Sequence, residues 1–173
     1  MGLSGSYICA SSRDATYLNT VHSDWDTSYH DYRDTDINNL NLSADYLSNK
    51  GITMVRMGRF VKDKVEFGNC IDYANNFYDE LMDIALMRDC KFFVGDSNGI
   101  CILPMTLNTP CALKNMVPFF SAGACAHPQN PHNLLICKKY YSTVERRFLS
   151  FKEMMKIDKV MLSDGMDGKN MQN

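Results

Sequence analysis

A chain of 173 residues, 45% of them hydrophobic and 22% charged, is long enough to bury one sizeable core and short for two. Its net charge of −2 gives no electrostatic footprint for nucleic acid. No apolar run approaches the ~20 residues of a membrane span, and the first eight residues lack the basic and apolar parts of a secretory signal. A cytoplasmic protein without a membrane span is the expectation.

In chain order, residues 7–10 (Tyr-Ile-Cys-Ala) read as a first strand that ends in Ser11-Ser12-Arg13-Asp14. Residues 15–35 are polar and rich in aspartate (Asp24, Asp26, Asp31, Asp34) with no clear period, as in a functional or mobile loop. Asp34-Thr35-Asp36 then caps a helix carrying Ile37, Leu40, Ala44 and Leu47 at spacings of three and four, closed by a left-handed Gly51. Residues 52–57 form a second strand stopped by Gly58, and a charged loop over 62–68 leads to a short third strand around Cys70-Ile71-Asp72.

A helix over 79–88 is expected to bury Leu81, Ile84 and Ala85, with Met82 or Leu86 beside them. Strand 91–94, helix 99–107 and strand 111–114 follow. Strands alternating with helices of about ten residues mean parallel β-α-β units, so the fold class is α/β. The expected architecture is a Rossmann-like, mostly parallel sheet of about five strands with helices on both faces. Beyond residue 115, Pro118, Pro128 and Pro131 mark an irregular loop. Residues 134–137 add a possible edge strand, and a short helix begins at Ser150. The organisation is one domain over 1–160 and a polar tail over 161–173.

In an open α/β sheet, ligands sit at the carboxyl ends of the strands. Four candidates fall there: Arg13, Arg56, Asp72 with Tyr73, and Asp96 with Ser97, Asn98 and Gly99. The Gly95-to-Gly99 turn leads into a helix, whose first N–H groups and dipole favour an anion. Arginine is the residue for bidentate phosphate recognition, so Arg13 and Arg56 facing that helix start point to a diphosphate. The bland alternative for any one arginine is a surface charge. His22 and His30 lie in the aspartate-rich loop and could act as general base or ligand, although solvated loop histidines are commoner.

Seven cysteines, most in apolar company (Cys9, Cys90, Cys101, Cys111, Cys137), look reduced and buried. Cys125, His127, His132 and Cys137 form the one metal-like cluster, but their spacing is not that of a common zinc finger, and Cys137 reads more easily as part of a strand. A small zinc module built on it is a third reading, and no metal is expected in the main one. There is no Gly-x-Gly-x-x-Gly, Walker loop, nucleophile elbow or His-Glu-x-x-His.

Taken together, the chain resembles bacterial glycosyltransferases of the fucosyltransferase-like GT-B group, found with surface-polysaccharide genes. The matching segments are Ile8-Cys9, Ser12-Arg13-Asp14, Tyr17-Leu18, Tyr32 to Asn38, Tyr46-Leu47, Gly51 and Val55 to Gly58. They continue with Ile71 to Asn75, Leu81 to Ile84, Cys90 to Gly95, Gly99, Pro104, Asn108-Thr109-Pro110 and Phe148 to Glu153. They are collinear over about residues 7–155.

The resemblance implies the C-terminal, donor-binding half of a GT-B enzyme, which would transfer a sugar from a nucleotide diphosphate sugar to a glycan acceptor. Arg13 matches the arginine of a His-x-Arg that grips the donor diphosphate, with Ser11 standing where the histidine is expected. The family's Thr-Asp-Ser-Gly loop is Asp96-Ser97-Asn98-Gly99 here. Arg56, Ser97, Asn98 and Gly99 would join Arg13 at the diphosphate, and Asp72, Tyr73 and Asp96 would lie near the nucleoside. No cofactor beyond the nucleotide sugar is implied. An N-terminal acceptor domain or separate chain would be the partner, because only six residues precede the first strand. The alternative is a catalytically silent nucleotide-binding or interaction module of the same fold.

Overall fold

The computed structural model describes residues 2–117 and 130–163. Its centre is a six-stranded, all-parallel sheet: β1 (Ser6–Ala10), β2 (Ile52–Arg56), β3 (Cys70–Ile71), β4 (Phe93–Gly95), β5 (Cys111–Met116) and β6 (Leu134–Cys137). The spatial order is β3-β2-β1-β4-β5-β6, the doubly wound arrangement in which the chain runs outward from β1 in one direction and from β4 in the other. The fold is α/β and Rossmann-like, with β6 completing a sheet one strand wider than the expected five.

Each strand feeds both faces because its side chains alternate. Ile8 and Ala10 of β1 and Met54 of β2 pack on one face with Ile37, Leu40, Ala44 and Leu47. These last four lie on a 3-10 turn (Ile37–Leu40) and the helix that continues it. Cys9 and Val55 point the other way, toward Tyr73, Leu86, Met87 and Cys101. The helices in chain order are α1 (Thr16–Val21), α2 (Asn41–Ser48), α3 (Tyr73–Asn76), α4 (Glu80–Asp89) and α5 (Ile102–Thr106). The cap read from sequence is present, the Asp36 carboxylate accepting from the Asn38 N–H at 2.8 Å, and Asp79 caps α4 likewise, accepting from the Met82 N–H at 2.8 Å. Gly51, with φ +70°, makes the left-handed exit after α2.

Helix α4 corrects the expected burial. Leu81 is 78% exposed and Ile84 45% exposed, whereas Leu86 and Met87 are buried. Of α4, Leu86 and Met87 in the later turns join the core on the strands, whereas Asp83 in the earlier turns lines a cavity and Leu81 and Ile84 lie outside the core. The 15–35 loop also carries more order than its composition suggests, with α1 and a 3-10 segment Ser28–Arg33. After β6 comes a hairpin, β7 (Tyr141–Ser142) and β8 (Arg147–Phe148), with the Tyr141 and Phe148 rings edge-on at 5.3 Å. A C-terminal helix, Phe151–Ser163, follows, so residues 161–163 belong to it rather than to the polar tail. Phe119, Phe120 and residues 164–173 lie outside the described residues.

Gly95 closes β4 under a constraint of space. A Cβ there would stand 2.3 Å from Cε1 of the buried Phe93 ring and 3.2 Å from Ser11 Oγ. Gly95→Ala is therefore expected to destabilise the protein by about 1–3 kcal/mol, the usual range for overpacking. Urea denaturation reads this directly, and an unchanged midpoint would show that the ring moves aside freely.

Candidate functional site

β1 and β4 are hydrogen-bonded neighbours, Cys9 opposite Phe93 and Ala10 opposite Val94, yet the chain leaves them toward opposite sides of the sheet. Their carboxyl ends frame the crevice where open α/β sheets hold ligands. A cavity of about 580 Å³ opens there. One wall is the turn after β1 (Ser11 to Asp14) with Asn98 and Gly99 beyond β4. The other walls are His30 and Arg33, the segment Gly58 to Val61 after β2, and Tyr78 and Asp83 at α4.

Three guanidinium groups border this space. Arg13 is 6% exposed, and its Nη1 donates to the Asp34 carboxylate and, at 3.2 Å, to the His30 carbonyl. Burial and the nearby Arg33 charge pull its pKa below the ordinary arginine value. Arg33 reaches across the crevice to Ser97, donating through Nη2 to the carbonyl and to Oγ at 3.0 Å. Arg59 lies over the rings of Phe60 and Tyr78, at 5.2 and 5.8 Å from their centroids, and pairs with Glu80 at 3.2 Å.

The cavity also collects unsatisfied polar atoms. Among the described residues, five buried side-chain atoms lack a hydrogen-bond partner, and four of them, Ser12 Oγ, Arg33 Nε, Asp83 Oδ1 and Asn98 Oδ1, belong to residues lining it. Buried polar atoms are normally paired, and such a concentration suits a polar ligand. Asp83 is held above the usual carboxylate range, first by burial and then by Asp79 and Glu80, with the Tyr73 hydroxyl acting in the opposite sense.

Of the residues expected at the site, Arg13, Asn98 and Gly99 line the cavity together. Ser97 stands behind it as the acceptor for Arg33. Asp96 is fully buried and joins three chain segments. It accepts from the Arg13 N–H at 3.2 Å, from the Thr35 hydroxyl, from Lys114 Nζ at 2.7 Å and from Asn115 Nδ2 at 3.2 Å. Arg56, 1% exposed, is not among the lining residues: its Nη1 donates to Asp72 Oδ1 at 3.1 Å. Tyr73 is likewise structural, its hydroxyl donating to the Asp79 carbonyl at 2.7 Å. Burial pushes its pKa up to about 12.

The helix after Gly99 differs from expectation. A 3-10 turn, Gly99–Cys101, runs into the five-residue α5, and Asn98 caps neither; its Nδ2 instead donates to Ser11 Oγ at 3.3 Å. So short a helix has a weak dipole, and attraction for an anion falls to the guanidinium groups. The sequence reading assigns no place at the site to Arg33, Arg59, Tyr78 or Asp83, the last standing only as an acid favoured at a helix start. Arg59 was the most accessible of them, because it follows Gly58 at the carboxyl end of β2.

His22 stacks on Trp25 at 4.2 Å, whereas His30 lines the cavity. Burial, then Arg33 and Arg13, hold the His30 pKa below its ordinary value. Protonation therefore favours the unfolded chain. His30's contribution to stability is complete above its ordinary value near 6.5 and is lost as the pH falls through the lower folded one. Urea midpoints at about pH 7.5 and pH 5.5 are expected to differ less in His30→Gln than in the parent. Equal differences would remove His30 as the source.

Among the described residues no group of three or more His, Cys, Asp or Glu side chains could hold a metal ion. Cys125 and His127 of the sequence cluster lie outside those residues. No family model matches the chain, and no curated protein or solved structure matches it either.

Proposed function

We propose that the crevice binds the diphosphate of a nucleotide sugar, and that the chain is the donor-binding domain of a glycosyltransferase acting in the cytoplasm on a glycan acceptor. The observation that supports this best is the meeting of Arg13 and Arg33 with Asn98 and Gly99 at the β1/β4 switch point. Two guanidinium groups in a partly enclosed crevice suit two linked phosphates. In sugar transfer the bond from the anomeric carbon to the diphosphate breaks, and the departing oxygen takes the electron pair. Arginine side chains already placed at the rim of the crevice would offset that charge as it develops. The sugar and acceptor roles come from the family resemblance; the diphosphate role has support in the geometry.

No helix among the described residues is long and apolar enough to cross a membrane. The working partners in this reading are a nucleotide sugar, a glycan acceptor and an acceptor-binding domain or chain.

A second reading, a nucleotide-binding module without turnover, draws on Ser11. It stands where the family carries a histidine, is 2% exposed, and accepts a hydrogen bond from Asn98. A serine so placed offers no base. Thermal shift and titration calorimetry against a panel of nucleoside diphosphates, nucleotide sugars and inorganic phosphate test the main proposal. Micromolar binding of diphosphates with weak binding of monophosphate is the expected result, and no binding by any diphosphate would overturn it. Sugar transfer in the same preparations separates the two readings.

A further inference from the structure

We infer that Asp34 is an internal anion that competes with the ligand's phosphate for Arg13, and that the segment Ser28–Arg33 is a strap which an arriving diphosphate loosens. The inference rests on the diphosphate reading of this cavity. Arg13 is the most deeply placed guanidinium among the lining residues, and its side chain is 7% exposed. On that guanidinium sits the Asp34 carboxylate, itself 30% exposed, with the His30 carbonyl on the same Nη1. A phosphate drawn to Arg13 meets a carboxylate already held there. At such burial the repulsion between the two anions is poorly screened by solvent.

The strap's other attachments face the same crevice. Arg33 crosses it to Ser97, and Arg33 Nη1 lies 3.4 Å from His30 Nδ1. A diphosphate that takes both arginines therefore loosens the contacts to Asp34 and Ser97 together. The backbone beside Arg33 stays fixed, because Lys138 Nζ donates to the Tyr32 carbonyl at 2.6 Å and the Asp34 carbonyl at 3.3 Å. That leaves a segment whose C-terminal end is pinned through its backbone, while its side chains are held by the arginines the ligand needs. Its role in a transferase is release: when diphosphate has become the product, Asp34 returns to Arg13 and speeds its departure.

The sign of one substitution decides the matter. If Asp34 only braces Arg13, Asp34→Asn weakens binding; if it competes, the same change strengthens it. The probe is inorganic pyrophosphate, which carries the phosphates and nothing else. Asp34→Asn is expected to bind pyrophosphate about five- to tenfold more tightly than the parent, with a slower off-rate. Unchanged or weaker binding overturns the proposal. The second measurement needs no variant: amide hydrogen exchange over residues 28–34 is expected to speed up when the parent chain is saturated with pyrophosphate. Slower or unchanged exchange there overturns the strap even if the affinity change is found. Failure of both proteins to bind pyrophosphate or any nucleoside diphosphate removes the site reading itself, an outcome distinct from binding with the wrong sign.

Discussion

Replacing Arg56 by methionine is expected to cost about 3–5 kcal/mol of stability, the range for breaking one side of a buried ion pair. Arg56 is 1% exposed and closes β2 in register with Ala10 of the central strand. Its partner Asp72 also accepts from the Val65 N–H at 3.2 Å and Asn75 Nδ2 at 2.8 Å, so the pair ties the charged loop after β2 to the start of α3. Burial raises the Asp72 pKa, but hydrogen bonds from Asn75, Val65 and Arg56 outweigh it and leave the pKa below the ordinary value. A carboxylate depressed in this way contributes stability that is complete above its unfolded value of about 4 and lost as the pH falls through the folded one. The gap between parent and variant is therefore expected to narrow in acid. Urea denaturation at neutral pH and near pH 3 checks both statements, and a neutral-pH loss under about 1 kcal/mol would sink the first.

Arg13→Ala is expected to weaken nucleoside diphosphate binding by about 1.5–3 kcal/mol, the loss of a charge-assisted hydrogen bond to phosphate. The variant also leaves Asp34 without its cation, next to the place where the phosphate would sit. Removing the arginine therefore takes away an attraction and exposes a repulsion, which puts the expectation at the upper part of that range. Arg59→Ala, which alters a cation held over aromatic rings at the far side of the cavity, is expected to do less. Titration calorimetry at one fixed salt concentration makes the comparison. An unchanged affinity in Arg13→Ala would falsify the assignment of Arg13 to the diphosphate.

The sheet was legible because its strands are short apolar runs bounded by turns, and all six (near residues 7, 52, 70, 91, 111 and 134) fall within a residue or two of their predicted bounds. The hairpin after β6 was not legible: two-residue strands such as Tyr141–Ser142 are too short to show alternation. Periodicity also misjudged α4. It reports that Leu81 and Ile84 share a face, and is silent on whether the sheet extends far enough to meet that face.

At the site, position along a strand decided success. Arg13 lies beyond the last paired residue of β1 and is free to reach the crevice, whereas Arg56 is still within β2 and turns to Asp72. Asp96 looked like a ligand contact because it starts the polar loop, but full burial and four donors make it a fastening between segments. Residue type and neighbourhood cannot separate these cases; the direction of one side chain can.

The place of β1 in the middle of the sheet bears on how the protein is made. β1 leaves the ribosome before either of its neighbours, and must wait for Ile52–Arg56 on one side and Phe93–Gly95 on the other. Until β4 emerges, one row of its backbone N–H and C=O groups has no partner, and the apolar side chains of Ile8 and Cys9 lack half their cover. Contacts between residues so far apart in sequence are slow to close and leave sticky intermediates in the meantime. Nascent chains that stop short of β4 thus carry an exposed strand edge prone to aggregation. Synthesis pauses that come once Phe93–Gly95 has emerged would do far less harm than pauses that hold β4 back.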